Sequence, residues 1–141
     1  HGMGAGMMEQ YLELIKAHPA FEGITQDEDI LWLRKCMEAR VETFQRGATV
    51  FREGDERLFA SIVLQGNALA VSADGHAEKI GAGGYLFREM PSGQSFYAPF
   101  TVLADTELTV FSMRVLRLYK LCSFRCVFHA RLLENLHNYF K

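Results

Sequence analysis

Two stretches near the start of the chain carry apolar residues at helical spacing. Over residues 8–17 they recur at near-helical intervals, which predicts an amphipathic helix that ends before His18-Pro19. The string Thr25-Gln26-Asp27-Glu28 has capping-box spacing, in which the Thr25 hydroxyl and the Glu28 carboxylate each satisfy a backbone N–H group. A second helix is therefore expected to run from this string to about Ala39. Its buried stripe is expected to comprise Ile30, Leu31, Trp32, Leu33 and Met37.

After Arg40 the pattern changes to short β-branched or aromatic runs separated by turns that contain glycine. The runs are 41–44, 49–51, 59–64, 68–72, 77–80 and 101–113, the last of them interrupted. The dipeptide Asp74-Gly75 between two such runs is a strong hairpin signal, because both residues tolerate the backbone of a tight turn. The strand pattern fails between Gly81 and Phe100. This arrangement is typical of an antiparallel sandwich or barrel.

Helical spacing returns after Arg114, in a short segment to about Cys122 and in a longer one over residues 126–141. The apolar stripe of the longer segment must be buried against another surface, either its own barrel or the same helix of a second copy. We expect the second case, a homodimer. The candidate interface residues are Phe128, Leu132, Leu133, Leu136, Tyr139 and Phe140.

Composition narrows the class of protein. The chain has 141 residues, 49% of them hydrophobic, with a net charge of −2, which fits one globular domain without a general attraction to nucleic acid or anionic lipid. No apolar run is long enough to cross a bilayer, and the start lacks the regions of a signal peptide. We therefore expect a cytoplasmic protein with no membrane partner and with reduced cysteines. Residues 1–8 are interpreted as a tag remnant, His1-Gly2, followed by a flexible N-terminus.

Metal and catalytic chemistry find little support in the residue pattern. Cys122, Cys126 and His129 would share one face of a continuous helix, but a fourth ligand is not evident and buried cysteines commonly act as small hydrophobes. Barrel dioxygenases need several histidines converging inside the barrel, whereas His76 is the one histidine in the strand region and falls at a hairpin turn. No nucleophile-elbow string is present either. We expect no metal, no cofactor and no enzymatic activity.

Four strings in succession match one family pattern. RGATVFREGD at 46–55 looks like a hairpin of the form KGe.if.eGD, and IVLQGNA at 62–68 looks like the strand and turn that follow it. GYLFREM at 84–90 is similar to GDlFGEm, the start of a loop that cradles a cyclic-nucleotide phosphate. Residues 118–136 resemble the junction between barrel and dimerisation helix in clostridial-type members. From Glu9 onward the chain thus resembles the effector domain of the Crp/Fnr family of bacterial transcription regulators.

The resemblance implies a mainly β fold, an antiparallel double-stranded β-helix of the jelly-roll or cupin-like kind, with N-terminal helices and a long C-terminal dimerisation helix. Residues 9–125 would form the effector barrel and residues 126–141 the dimerisation helix. In this family a helix-turn-helix domain binds DNA. We expect that domain to be absent from this chain, so that DNA would be bound only through a part not present here. The glycine-rich loop also fits an anionic ligand, because exposed backbone N–H groups attract anions.

The chain departs from the family at the ligand. Members that bind cyclic AMP carry an Arg-Ser/Thr-Ala triplet whose arginine pairs with the phosphate, and the matching positions here are Ala98-Pro99-Phe100. Arg88 replaces the glycine of GDlFGEm. A cyclic nucleotide is therefore disfavoured, and the effector would be another small anion, an aromatic acid, or none. An alternative is a standalone barrel that acts only in oligomerisation or protein interaction. The candidate ligand residues are Gly84, Arg88, Glu89, Met90, Tyr97, Ala98 and Pro99.

Overall fold

The computed structural model describes residues 8–91, 96–119 and 127–140. Within these ranges, helices stand at both ends of the chain and the strands lie between them. In chain order the elements are α1 (Leu12–Ala17), a 3-10 helix (Pro19–Phe21), α2 (Asp27–Cys36), β1 (Arg40–Phe44), β2 (Thr49–Phe51), β3 (Phe59–Gln65), β4 (Ala68–Val71), β5 (Ala77–Ile80), β6 (Thr101–Ala104), β7 (Leu108–Arg114), α3 (Val115–Leu118) and α4 (Val127–Tyr139).

The strands form two antiparallel sheets. The three-stranded sheet has the order β1-β7-β3, and the four-stranded sheet has the order β2-β6-β4-β5. The predicted hairpin is confirmed, because β4 pairs with β5 from Ala68↔Ile80 to Val71↔Ala77 across a turn in which Gly75 has a φ of +86°. The predicted interruption of the last long run is also present, since β6 and β7 are separate strands in different sheets.

The predicted barrel does not close among the described residues. Closure would require a further strand beside β3, at the edge of the three-stranded sheet. Among the described residues, the glycine loop at that edge forms only the single bridge Ile62↔Tyr85. The Leu86 N–H donates to the Ser61 carbonyl and the Val63 N–H donates to the Gly84 carbonyl, both at 2.9 Å. The fold is an open β-roll of two sheets with helices on one side, rather than a closed cupin-like barrel.

Two predictions for α2 are wrong at its ends. The helix begins after Gln26, whose side chain makes no capping bond, and Thr25 instead accepts a hydrogen bond from the Gln26 amide at 3.4 Å. Acidic residues in the first turn compensate the free N–H groups through the helix dipole. The helix ends at Cys36, short of Ala39, because Glu38 adopts a left-handed backbone with a φ of +51°.

The C-terminal helix α4 has 13 residues, so the predicted long dimerisation helix is not present among the described residues. Its inner side packs on the chain's own core. Leu132 and Leu136 are fully buried there, and Asn135 donates hydrogen bonds to the carbonyls of Ala20 and Glu22 at 2.9 and 2.8 Å. Across the described ranges, every helix is too short or too polar to cross a membrane.

Candidate functional site

A cavity of about 880 Å³ opens beside the glycine loop. Its walls are residues 78–85 with Phe87 and Arg88 on one side, and Tyr139 and Phe140 at the end of α4 on the other. We call it the loop cavity. Its volume is in the range of small-molecule sites, and it combines aromatic rings with charged groups at the rim. It also contacts two parts of the chain that are far apart in sequence.

A buried histidine fixes the position of the glycine loop. The His18 Nε2 donates to the Gly84 carbonyl at 3.0 Å, and its Nδ1 accepts from the Ala20 N–H at 3.0 Å. These two partners require the neutral ring, and burial accordingly lowers the pKa of His18 below its usual value. A side chain at Gly84 would bring a Cβ within 2.9 Å of the Gly81 carbonyl oxygen. The loop is therefore closely packed and tied to the N-terminal segment.

Four aromatic rings connect the loop to α4. Tyr85 lies 4.3 Å from the Tyr139 ring and 5.1 Å from the Phe140 ring, and Phe87 lies 5.1 Å from Phe140. Aromatic pairs at these separations contribute beyond the area that they bury. Burial, with a smaller effect of Tyr139, raises the pKa of Tyr85 to about 12, so its hydroxyl stays protonated at neutral pH. We call these four residues the aromatic contact.

The structure brings only part of the predicted ligand set together. Gly84 and Arg88 line the loop cavity, whereas the other predicted residues do not. Ala98 is buried between the sheets, and Tyr97 is 57% exposed. The predicted residues outside the cavity wall are Glu89, Met90, Tyr97, Ala98 and Pro99.

Arg88 is already engaged. Its guanidinium lies 3.0 Å from the Glu78 carboxylate and 4.4 Å from the centre of the Phe100 ring. The amides of Gly83 and Gly84 are also engaged, since they donate to the carbonyls of Val63 and Gly81 at 3.0 Å. The expectation that the glycine loop offers its N–H groups to an anion is therefore wrong for these two residues. Any anion in the cavity has Arg88 and Lys79 as its cationic contacts.

Arg57 was missed by the sequence analysis. Its guanidinium lies 4.1 Å from the Phe51 ring, and Phe51 lies 6.2 Å from Phe100, so two arginines flank a buried aromatic pair. The predicted phosphate position, Ala98-Pro99-Phe100, thus contributes a ring to this pair rather than a guanidinium. No sequence pattern marks Arg57, because its proximity to Phe51 arises only from the packing of the roll.

The predicted dimer residues divide into two groups. Leu132 and Leu136 are buried in the chain's own core and cannot meet a second copy, so the first of the two alternatives for the stripe holds for them. Phe128, Leu133 and Phe140 are partly buried, and Tyr139 is 61% exposed. Among the predicted interface residues that the structure describes, only this second group retains exposed surface that a partner could contact.

Cys122 and Cys126 of the weighed metal set lie outside the described residues. His129 is buried, and because a carbonyl oxygen only accepts, its Nε2 donates to Leu118 at 3.1 Å. Its Nδ1 lies 3.1 Å from the Cys36 sulfur and accepts the thiol hydrogen. Among the residues that the structure describes, no group of three metal-binding side chains occurs.

Comparison with known proteins identifies the fold. No protein-family model matches the chain, and no curated protein matches it by sequence. A cyclic nucleotide-binding domain from Methylobacillus flagellatus matches with a TM-score of 0.69 and 20% identity over 99% of this chain and 82% of that chain. The N-terminal domain of a transcriptional regulator from Streptomyces coelicolor matches at 0.64 and 22%, over 89% of both chains.

The sensor domain of the transcriptional regulator DNR from Pseudomonas aeruginosa is also similar, with a TM-score of 0.61 and 14% identity over 94% of this chain and 82% of that chain. These matches show that the chain has the β-roll fold of cyclic nucleotide-binding domains. Among the matched proteins, this fold is found in a domain of a transcriptional regulator and in a sensor domain. Function has to be argued from the site, because one fold serves several activities.

Proposed function

We propose that the chain is the ligand-sensing domain of a Crp/Fnr-type transcription regulator, with its effector bound in the loop cavity. One observation carries the proposal: the cavity wall joins the glycine loop to the end of α4 through the aromatic contact. A ligand held there touches both parts at once. Its binding energy can therefore favour one position of α4 over another, which is what allosteric coupling requires.

The charges at the rim favour a small anion other than a cyclic nucleotide bound in the usual way. The position of the phosphate arginine holds Ala98, so Arg88 is the cation that the loop itself contributes to the cavity wall. The Arg88–Glu78 pair is half-exposed on both sides, and such pairs contribute only about 0–1 kcal/mol. An anionic ligand can displace Glu78 and take the Arg88 guanidinium at little cost.

A thermal-shift screen tests the effector proposal. The probes are cyclic AMP, cyclic GMP, small aromatic acids and organic phosphates, because a ligand that binds only the folded state raises the Tm. We expect a non-nucleotide anion to raise the Tm of the wild type and to lose this effect in Arg88→Ala. Arg46→Ala, at an exposed turn, is the matched control and should retain it.

If no probe stabilises either protein, the alternative gains: a standalone barrel that serves oligomerisation or protein interaction without an effector. The internal bonds of Gly83, Gly84 and Arg88 favour this alternative, since they already satisfy groups that an effector would use. A shift that persists unchanged in Arg88→Ala would place the ligand elsewhere and contradict the proposed site.

Dimerisation belongs to the same proposal, with DNA bound through a helix-turn-helix part of the regulator. The surface would be formed by the parts of Phe128, Leu133, Tyr139 and Phe140 that the chain's own core leaves uncovered. Leu133→Asp should then give a folded monomer in sedimentation, because Leu133 is only partly buried. A folded variant that still sediments as a dimer would move the interface away from α4, and circular dichroism checks the folding.

A further inference from the structure

A second cavity, of about 480 Å³, lies against the three-stranded sheet, away from the loop cavity. Side chains alternate along a strand, so Arg40 and Glu42 of β1 share a face with Phe59 and Ser61 of β3. Glu56 and Arg57 complete the charged part of the wall. We call this space the sheet cavity. It shares no lining residue with the loop cavity.

Two guanidinium groups border the sheet cavity with their faces on aromatic rings. Arg57 lies 4.1 Å from the centre of the Phe51 ring, and Arg40 lies 3.9 Å from the centre of the Phe59 ring. Stacking uses the flat face of a guanidinium and leaves its N–H donors at the edge. The Phe59 and Phe51 rings therefore hold the guanidinium groups of Arg40 and Arg57 in place, and this stacking does not use the N–H donors of either group.

Among the described residues, carboxylates act on the charge of Arg57 only from a distance. Among the described residues, no carboxylate lies within 4.0 Å of its guanidinium, whereas Arg40 has Glu42 at 3.5 Å. Burial lowers the pKa of Arg57. Glu42 and then Asp55 oppose this shift, and the charge of Arg40 adds to it as the smallest effect. A half-buried cation without a close counterion is a favourable contact for an anion.

A chain of hydroxyl groups supplies an acceptor beside the arginines. The Ser112 Oγ donates its one hydrogen to the Glu42 carboxylate at 3.0 Å. The 2.7 Å bond between Ser61 and Ser112 must then take its hydrogen from Ser61. The Ser61 oxygen is left with lone pairs only, and Ser61 is one of the residues that line the cavity. A ligand at this point must donate to Ser61, not accept from it.

We infer that the sheet cavity binds a small hydroxy acid or amino acid, with the carboxylate on Arg57 and Arg40 and the hydroxyl or amino group donating to Ser61. The two donor edges match the two oxygens of a carboxylate. Glu42 and Glu56 favour a ligand that also carries a donor over a plain anion, because they would repel a second negative group. This site is independent of the effector proposed for the loop cavity.

The test is a titration of the full chain, labelled with ¹⁵N, with L-lactate, glycolate, L-serine and inorganic phosphate as probes. We expect saturable shifts of the amide signals of residues 40–42 and 57–61 with at least one hydroxy or amino acid. Arg57→Gln should weaken that binding by about tenfold or more, the effect of losing a charge-assisted hydrogen bond. Arg40→Gln, at a more exposed residue, should weaken it less.

Arg46→Gln is the matched control, because Arg46 is exposed and lines neither cavity, so its loss should leave this affinity unchanged. Should Arg57→Gln fail to fold, Arg40→Gln carries the test alone. The proposal is overturned if none of the four probes gives saturable shifts at these residues. It is also overturned if phosphate binds as tightly as the hydroxy and amino acids, or if the folded arginine variants bind with wild-type affinity.

Discussion

The two faces of the three-stranded sheet have different chemistry on the same strands. The face toward the helices is mainly apolar, with Val41, Ala60, Ile62, Phe111 and Met113, and it carries the Thr43–Thr109 pair toward one end. The face toward the second sheet changes along its length from Val63 and Val110 to Glu42, Ser61 and Ser112. One face stabilises the fold, and the other places hydrogen-bonding groups beside a cavity.

The buried polar groups on the two sides differ in the same way. On the helix side, both nitrogens of His18 and both nitrogens of His129 have partners within the chain. On the sheet side, the guanidinium of Arg57 rests on a ring and keeps its N–H donors. Polar groups with all their partners hold structure together, whereas groups with donors left over can bind a ligand.

The largest effect is expected on the helix face. Phe111 is fully buried and packs edge-on against Phe21 with ring centroids 5.3 Å apart. Phe111→Ala should lower the free energy of unfolding by about 3–5 kcal/mol, measured by denaturant titration. Leu58→Ala is the control, because Leu58 is 52% exposed and should change stability by about 0.5 kcal/mol or less. Similar losses for both variants would contradict the division between the faces.

An intermediate effect is expected one residue further along β7, on the opposite face. Ser112→Ala removes the hydrogen bond to Glu42 and the acceptor of Ser61, which should cost about 1–3 kcal/mol. The double variant Ser61→Ala/Ser112→Ala should cost less than the sum of the two single changes, because no hydroxyl is then left unpaired. Additive losses in denaturant titrations would show that the two hydroxyls are not coupled.

The smallest effect is expected in the pH dependence of the free energy of unfolding. Folded His18 has a pKa below the usual 6.5, so the unfolded chain binds more protons as the pH falls below that value. Its contribution to stability is therefore complete above pH 6.5 and is lost as the pH falls toward the folded pKa. The slope is at most about 1.4 kcal/mol per pH unit. The partner ring of Tyr85 stays neutral throughout.

The measurement is the free energy of unfolding of the wild type, His18→Gln and His76→Gln between neutral and mildly acidic pH. His18→Gln should flatten the acid side of the curve, whereas His76, exposed beside the β4–β5 turn, serves as the control and should leave it unchanged. An equal effect of the two variants would remove His18 as the source of the pH dependence.

Local patterns in the sequence predicted what depends on local structure. The runs 49–51 and 77–80 are strands with those bounds, and the Asp74-Gly75 turn lies where it was expected. The same patterns gave the wrong start and end for α2, and at its end Glu38 takes a left-handed backbone while distant side chains hold its carboxylate. Glu38 pairs with Arg114 at 2.9 Å and with Arg117 at 3.3 Å.

The site was less predictable because it depends on packing between distant segments. The spacing of Leu132 and Leu136 shows that they must be buried, but it does not show which surface buries them. Similarly, the resemblance directed attention to Gly84 and Arg88, which do line a cavity, and to Glu89, Tyr97 and Pro99, which do not. Arg57 acquires its surroundings only when β1, β2 and β3 come together.

The order of the strands along the chain also determines when each strand can pair during synthesis. The first strand, β1, pairs only with β7, as in Arg40↔Ser112, and β2 pairs only with β6 among the described residues. Neither can find its partner until the chain beyond residue 100 has left the ribosome. At roughly 5–20 residues per second, β1 waits for several seconds with its backbone N–H and C=O groups unpaired. During that interval the unpaired edge of β1 is open to pairing with other chains.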